Sequence, residues 1–482
     1  MTVTFPDGEL TDAAELGAVD SRSVRVWVRQ PSAERIDVHL EVEGHQAITE
    51  TIHLSADADW TGAATLSLPD PAPDSRFVCT VGPHRLTGRL SPLPETHTGL
   101  VFGFGSCNLP FRAADDGVRL SSAAGIYPAI REELRRENAA FMLLLGDQIY
   151  SDGVASISVR AGLSGDTEHP PPLDEALAAY RRVTRGYLGQ SGFRALRESL
   201  PTYCMWDDHE IFDSWGSRLE KTPLDRRLFE AAARVFCEYQ HQRNPDGAIG
   251  PPPYHYTLRY GDIGFLVLDV RGARDYEHGR LLGEAQWLDV ERYLAGDAAA
   301  SLHTLFVVSS VPIAHVSRWM AKFFDDLPGA NADAVRDRWC SDRFVGGRNA
   351  LLDHLFDWEA AAPARQVVIL SGDVHAASAF TIRRRQGPGV IRQFTSSAMT
   401  TPSTPRQRTL NRIAVQFPNL FEPRFHFQRH RLSFPNNYGF VRVVPLPDGG
   451  HRVGFSVRSW LPNQGRIKTA AGLISEPTGY PS

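Results

Sequence analysis

The chain has no apolar run long enough to cross a bilayer. Its longest, FMLLL at 141–145 and FLVL at 265–268, fall far short of the roughly 20 residues a membrane-spanning helix needs. Cysteine is scarce: five residues, at 79, 107, 204, 237 and 340, odd in number and widely scattered. That pattern argues against a disulfide framework and favours a reducing compartment. There is no basic excess, since 51 Lys+Arg face 56 Asp+Glu for a net charge of −5, which argues against tracking nucleic acid along an extended surface. MTVTFPDGELTD opens the sequence without a cationic start or an apolar core, so no secretory signal is expected and the cytoplasm is the expected location. Internal repeats and low-complexity tracts are also missing. The 482 residues, 42% apolar and 22% charged, have the composition of a folded protein of two or three domains.

The first ninety or so residues carry short alternating or β-branched runs: VRVWVR at 24–29, RIDVHLEV at 35–42, ITETIHL at 48–54 and RFVCTV at 76–81. Turn signals such as PDPAPDS at 69–75 separate them, which predicts an all-β sandwich over 1–95. SPLPETHTG at 91–99 reads as the domain joint. From residue 96 to 445 buried strands alternate with helices, expected at 125–140, at about 284–294 and near 349–361, so an α/β core is predicted. The tail, 446–482, is expected to be a short β or extended segment closing that core.

Four strand-like runs end in residues that can bind metals: GSC at 105–107, GDQIY at 146–150, WDDHE at 206–210 and SGDVH at 371–375. Sites in open α/β sheets form beyond the carboxyl ends of strands, where such tips meet. An Asp leaving a strand, with a Tyr three residues on, can present a carboxylate and a phenolate on one side of a turn. Thiolate and phenolate suit Fe(III), whereas Asp208 and Asp373 are hard oxygen donors suited to Ca²⁺, Mg²⁺ or Mn²⁺. Blander readings exist for each residue. Cys107 could be a small buried hydrophobe, Asp147 or Asp208 a helix cap, His375 a satisfied core histidine and Tyr150 simple packing. Their clustering at four separate tips favours the ligand reading.

Seven segments, GSC, GDQIYSDG, WDDHEIFDSWG, LDVRGARD, LLGEAQWL, SSVPI and SGDVHAAS, stand in the order of the alkaline phosphatase D (PhoD-like) family, which the chain resembles over nearly its whole length. The resemblance implies the four-layer α/β/β/α fold of calcineurin-like metallophosphoesterases. It implies metal ligands at Cys107, Asp147, Tyr150, Asp208, Asp373 and His375, and at Asp213, which with Ser214 stands nearest to an Asn that binds metal in some relatives. It also implies Fe(III) at the Cys/Tyr/His side and Ca²⁺, or Mg²⁺ or Mn²⁺, at the carboxylate side. Ser310 stands where the wider superfamily has a metal-binding His, a further move toward oxygen donors. The implied reaction is hydrolysis of a small-molecule phosphate mono- or diester by metal-activated hydroxide, with His209 protonating the leaving alkoxide. Arg271 and Arg274 are expected either to grip phosphate oxygens or to make structural salt bridges. Two alternatives stay open: a weakly active or inactive binding protein, motivated by Asp213 and Ser310, and a nuclease-type phosphodiesterase, motivated by PRFHFQRHR at 423–431.

Overall fold

A computed structural model describes residues 4–115, 117–163, 167–217, 221–324, 330–401, 403–447 and 449–475. The N-terminal runs form a β-sandwich. Ala13–Val19, Ser23–Arg29 and Thr61–Ser67 make one sheet, and Ile48–His53, Arg35–Val42, Arg76–Val81 and His84–Arg89 make the other. Alternate residues, among them Val24, Val26, Val38, Leu40, Phe77 and Cys79, point between the sheets and build a separate small core.

The remainder is a pair of stacked sheets covered by helices. Six strands run in the order Thr202–Met205, Phe141–Leu145, Leu100–Gly105, Asn437–Pro445, His451–Leu461 and Arg466–Ser475. Seven run in the order Tyr256–Tyr260, Ile263–Val267, Thr304–Ser309, Gln366–Ser371, Ile391–Thr395, Ala377–Arg384 and Phe425–Ser433. The apolar runs are continuous because both faces of each strand are buried. In FMLLL, Phe141, Leu143 and Leu145 face the opposite sheet, while Met142 and Leu144 face the helices. On that side lie Ile126–Arg136, Leu173–Gly189 and Pro223–Tyr239. Glu284–Ala295 and Val345–Ala360 cover the seven-stranded sheet. The result is the α/β/β/α arrangement expected.

The boundary placed at 445/446 falls in the turn of an antiparallel hairpin, because Asn437–Pro445 pairs directly with His451–Leu461. The tail therefore supplies two further strands of the six-stranded sheet and is not a separate closing segment. The N-terminal sandwich is fastened to the core by buried polar contacts. Glu15, fully buried, receives the guanidinium groups of Arg197 and Arg243. Trp27 Nε1 donates to the Glu238 carbonyl at 2.7 Å. Truncating one partner of such a buried cluster leaves uncompensated charge, typically at a cost of about 3–5 kcal/mol.

Candidate metal centre

Leu100–Gly105, Phe141–Leu145 and Thr202–Met205 are parallel neighbours, so their carboxyl ends point the same way. Gln366–Ser371, from the other sheet, delivers its tip to the same place. A cavity of about 320 Å³ opens there, with Asp147, Asp208, His209, Asp373 and His375 in its lining. The strand tips do not leave in relaxed conformations. Cys107, Asp147, Asp373 and His375 have φ of 59°, 57°, 63° and 51°. Four non-glycine residues in the left-handed region at one site cost energy that surrounding structure must offset. Ser106 Oγ accepts from the Asp373 N–H at 3.2 Å, and Ser397 Oγ accepts from the His375 N–H at 2.9 Å. Gly146 (φ 87°) is required before Asp147, since a Cβ there would lie 2.5 Å from Asp207 Cβ.

Glu210 joins two of the tips. Its buried carboxylate accepts the N–H groups of Asp147 and Asp207, each at 2.8 Å, on one oxygen, and those of Gln148 (2.8 Å) and Ile149 (3.2 Å) on the other. Burial pushes Glu210 up to about 7 against the N–H groups of Asp207, Asp147 and Ile149.

Asp147 is the hub. Its Oδ2 lies 3.3 Å from Cys107 Sγ and 3.2 Å from Tyr150 Oη, and Tyr150 Oη lies 3.2 Å from His375 Nε2. Donor atoms of Cys107, Asp147 and His375 fall within 4.8 Å of one another, and so do those of Asp147, Asp208 and His209. A third overlapping group adds Asp207 and Asp373 to Asp208. Burial, then the neighbouring Cys107, holds Asp147 well above the usual carboxylate range. Asp207 is likewise raised by burial, although Arg271 opposes the shift. Burial lowers His375 to about 4, leaving a neutral imidazole of the kind that ligates metals.

These residues fit bound cations. Buried carboxylate oxygens normally have a hydrogen-bond partner or a ligand, yet Asp207 Oδ2 accepts no hydrogen bond, and Asp208 Oδ1 accepts none beside its ion pair with Arg271. One side of the hub offers sulfur, phenol oxygen and imidazole, and the other almost only carboxylate.

His209 sits between the hub and the cavity. Its ring stacks on Tyr150 with centroids 4.1 Å apart, and its Nδ1 is 2.6 Å from Asp152 Oδ1. Burial alone would lower its pKa, but Asp152, Asp147 and Asp208 raise it well above the ordinary value.

The expected site residues divide accordingly. Cys107, Asp147, Tyr150, Asp208, Asp373, His375 and His209 converge. Asp213 does not join the clusters: its side chain is 66% exposed, with Oδ1 3.9 Å from His209 Nε2. The cause is the turn at Ser214 (φ 61°), whose N–H returns to Asp208 Oδ2 at 2.6 Å and leaves Asp213 on the open side of the cavity it helps to line. Arg271 and Arg274 are fully buried and absent from the cavity lining, so they are not placed to grip phosphate. Arg271 is held by Asp207 and Asp337 and lies 3.3 Å from Asp208 Oδ1, while Arg274 donates to the Asp337 carbonyl at 2.6 Å. They act as structural cations behind the carboxylates. Ser310 Oγ donates to Asp207 Oδ1 at 2.8 Å. Sequence reasoning missed Arg338, which lines the cavity and is ion-paired with Asp373. It also missed Asp152 and Glu210, both inside quoted motifs and findable there as charged residues on predicted strand tips. The 423–431 run falls on the strand Phe425–Ser433, where Phe425 and Phe427 are buried in the core and cannot stack bases.

The sequence pattern of the PhoD-like phosphatase family matches residues 120–443. No curated protein matches the chain. Among solved structures, one of PhoD superposes with a TM-score of 0.66 at 16% identity, covering 96% of this chain and 90% of that one. The purple acid phosphatase PPD1 from yellow lupin (Lupinus luteus) seeds superposes with a TM-score of 0.59 at 11% identity, covering 97% and 74%. At these identities the two structures speak for the shared fold.

Proposed function

The chain belongs to the PhoD-like phosphatase family and is a phosphoric ester hydrolase, and from that premise we propose that it cleaves small phosphodiesters and phosphomonoesters in the cavity above Asp147. The observation that carries this reading is that Asp147 belongs to two donor clusters at once, beneath a cavity large enough for a small ester. Cys107, Tyr150 and His375 would hold one cation with Asp147, and Asp208 and Asp373 another. Fe(III) suits the first donor set, and Ca²⁺, Mg²⁺ or Mn²⁺ the second. When bound, such ions lower the pKa of water and neutralise charge on phosphoryl oxygens.

The chain's own residues do the rest. Asp152 fixes the His209 ring through Nδ1, leaving Nε2 for the cavity and for delivering a proton to the departing alkoxide. Glu210 keeps the Asp147 and Asp207 tips in register. Arg338, beside Asp373, is the cavity guanidinium that can fork onto a phosphoryl oxygen. Val316, Met320, Val335, Leu410 and Ala414 form an apolar wall, which favours esters whose alcohol presents an apolar or aromatic face. No helix among the described residues is long and apolar enough to cross a membrane. All five cysteines are buried free thiols, which supports a reducing compartment such as the cytoplasm.

The test is turnover of a chromogenic diester and monoester with iron, Ca²⁺ and Mn²⁺ supplied, alongside elemental analysis and a visible spectrum. Hydrolysis abolished by Asp147→Asn is expected, with an absorption band altered by Cys107→Ser and by Tyr150→Phe. No hydrolysis of either ester with any metal would overturn the catalytic reading and favour a binding role. A colourless, iron-free, active protein would remove iron alone.

A further inference from the structure

At the opposite end of the two sheets lies a second cluster. Asp262 and His303 immediately precede Ile263–Val267 and Thr304–Ser309, whose other ends point toward the catalytic cavity. Five- and six-residue strands put the two places about 20 Å apart. His97, from the joint after the N-terminal sandwich, and His451, which opens a strand of the other sheet, complete the group.

The carboxylate of Asp262 is 1% exposed, and its two oxygens have different surroundings. Oδ1 accepts the Thr98 N–H at 3.4 Å and lies 3.3 Å from His451 Nε2. Oδ2 faces only imidazoles, with His97 Nδ1 and His303 Nδ1 each 2.7 Å away. His97 is the informative ring. Its Nδ1 meets a carboxylate oxygen, while its Nε2 lies 3.0 Å from the Leu446 carbonyl oxygen. Both neighbours are pure acceptors, and a neutral imidazole carries only one N–H. Two states satisfy both neighbours: an imidazolium with a proton on each nitrogen, or a neutral ring protonated at Nε2 whose Nδ1 lone pair shares a metal ion with the carboxylate.

Its surroundings match those of a metal-ligating histidine. Such rings turn their other N–H to a backbone carbonyl, as His97 Nε2 does to Leu446, and the ligating carboxylate is itself held by donors, as Oδ1 is. The donor atoms of His97, Asp262 and His303 lie within 4.8 Å of one another. The two histidine side chains are 33% and 36% exposed, which leaves the remaining coordination position to water. Two imidazoles and one carboxylate suit Zn²⁺ or a similar divalent transition ion, not Ca²⁺.

We propose that His97, His303 and Asp262 form a second metal site, separate from the catalytic one, that takes Zn²⁺ or a chemically similar ion and pins the domain joint to the core. The ion would tie residues 96–98 to the starts of two strands of the seven-stranded sheet, with Leu446 and His451 of the C-terminal hairpin in its outer shell. The inference does not depend on which ester the cavity takes.

The experiment uses the full chain saturated with Zn²⁺ and then freed of excess by gel filtration. Zinc per chain is compared among the wild type, His97→Gln and His303→Gln, with retained phosphoesterase turnover showing that each variant is folded. Each variant should carry one equivalent less zinc than the wild type, with turnover unchanged. Crystals of the wild type, which need no substitution, should show anomalous scattering at the zinc edge about 2.0–2.1 Å from His97 Nδ1. Equal zinc content in all three proteins, or no anomalous peak at Asp262, would overturn the proposal and leave His97 as a protonated imidazolium between two acceptors.

Discussion

Replacing Glu210 with glutamine tests how the strand tips are held. The carboxylate accepts four buried N–H groups, two on each oxygen: Asp147 and Asp207 on one, Gln148 and Ile149 on the other. A glutamine of the same shape turns one oxygen into an NH₂ group. Because each oxygen serves two donors, either orientation of the amide leaves two N–H groups without an acceptor and facing another donor. Each such loss costs about 1–3 kcal/mol, so Glu210→Gln should destabilise the protein by about 2–6 kcal/mol. That is a large part of the roughly 5–15 kcal/mol by which domains are stable. The two orphaned donors belong to residues at or next to candidate metal ligands, so turnover should fall with stability. Urea denaturation followed by fluorescence gives the first number, and initial rates on a chromogenic diester give the second. A stability change below about 1 kcal/mol together with unchanged turnover would refute the view that Glu210 braces the site.

Three further substitutions probe other parts of the arrangement. Asp152→Asn removes an anion that raises the His209 pKa, so kcat should fall by roughly 10²-fold and the basic limb of the pH–rate profile should move to lower pH; an unmoved limb would show that His209 is not the acid. Arg338→Gln should raise KM for phosphate esters and weaken inhibition by inorganic phosphate by about tenfold, a loss of about 1.4 kcal/mol; an unchanged inhibition constant would remove Arg338 from substrate binding. Burial pushes Glu359 up to about 7, so the folded state favours its protonated form. Its contribution is thus full below the unfolded value near 4.5 and is lost as pH rises through 7. Glu359→Gln, which keeps an acceptor for the Val390 N–H, should cancel a loss of roughly 3 kcal/mol between pH 5 and 8; parallel melting curves for the two proteins would contradict this.

Much of the layer architecture was legible in the sequence because burial and periodicity are local properties. FMLLL and the GFLVLD run could only be strands buried on both faces, and the β-branched alternation before residue 90 could only half-bury itself in a sandwich. The candidate ligands were legible for a related reason: they stand at the ends of those strands. What could not be read was set by distant partners. LDVRGARD offers two arginines just past a strand, and nothing local says whether they turn to solvent or inward. The deciding residue is Asp337, more than sixty positions away, which receives Arg271 on both carboxylate oxygens. Arg338 was invisible for the same reason, since its partner Asp373 comes from a different strand tip. Asp213 lines the cavity yet stays outside the donor clusters, an outcome set by one turn: the left-handed Ser214 sends its own N–H to Asp208 and leaves the preceding carboxylate on the cavity's open side.

The left-handed conformations of Cys107, Asp147, Asp373 and His375 connect the fold to its chemistry. A strand continuing normally would alternate its side chains between the inter-sheet core and the helix layer, and neither direction leads to the cavity. A left-handed residue at the strand's end breaks that alternation and turns its side chain along the strand axis, where tips from both sheets can meet. Asp and Asn tolerate this conformation better than most residues, but Cys and His gain nothing from it locally. Non-glycine residues at two such positions therefore mark places where the side chain matters more than the backbone's ease. In a purely structural turn, glycine would serve at lower cost, as it does at Gly146. The strain is tolerable because Glu210, Ser106 and Ser397 hold the neighbouring N–H groups. The bracing residues and the strained strand tips thus form one device, in which loosening a brace should relax the tips away from one another before it unfolds the sheets.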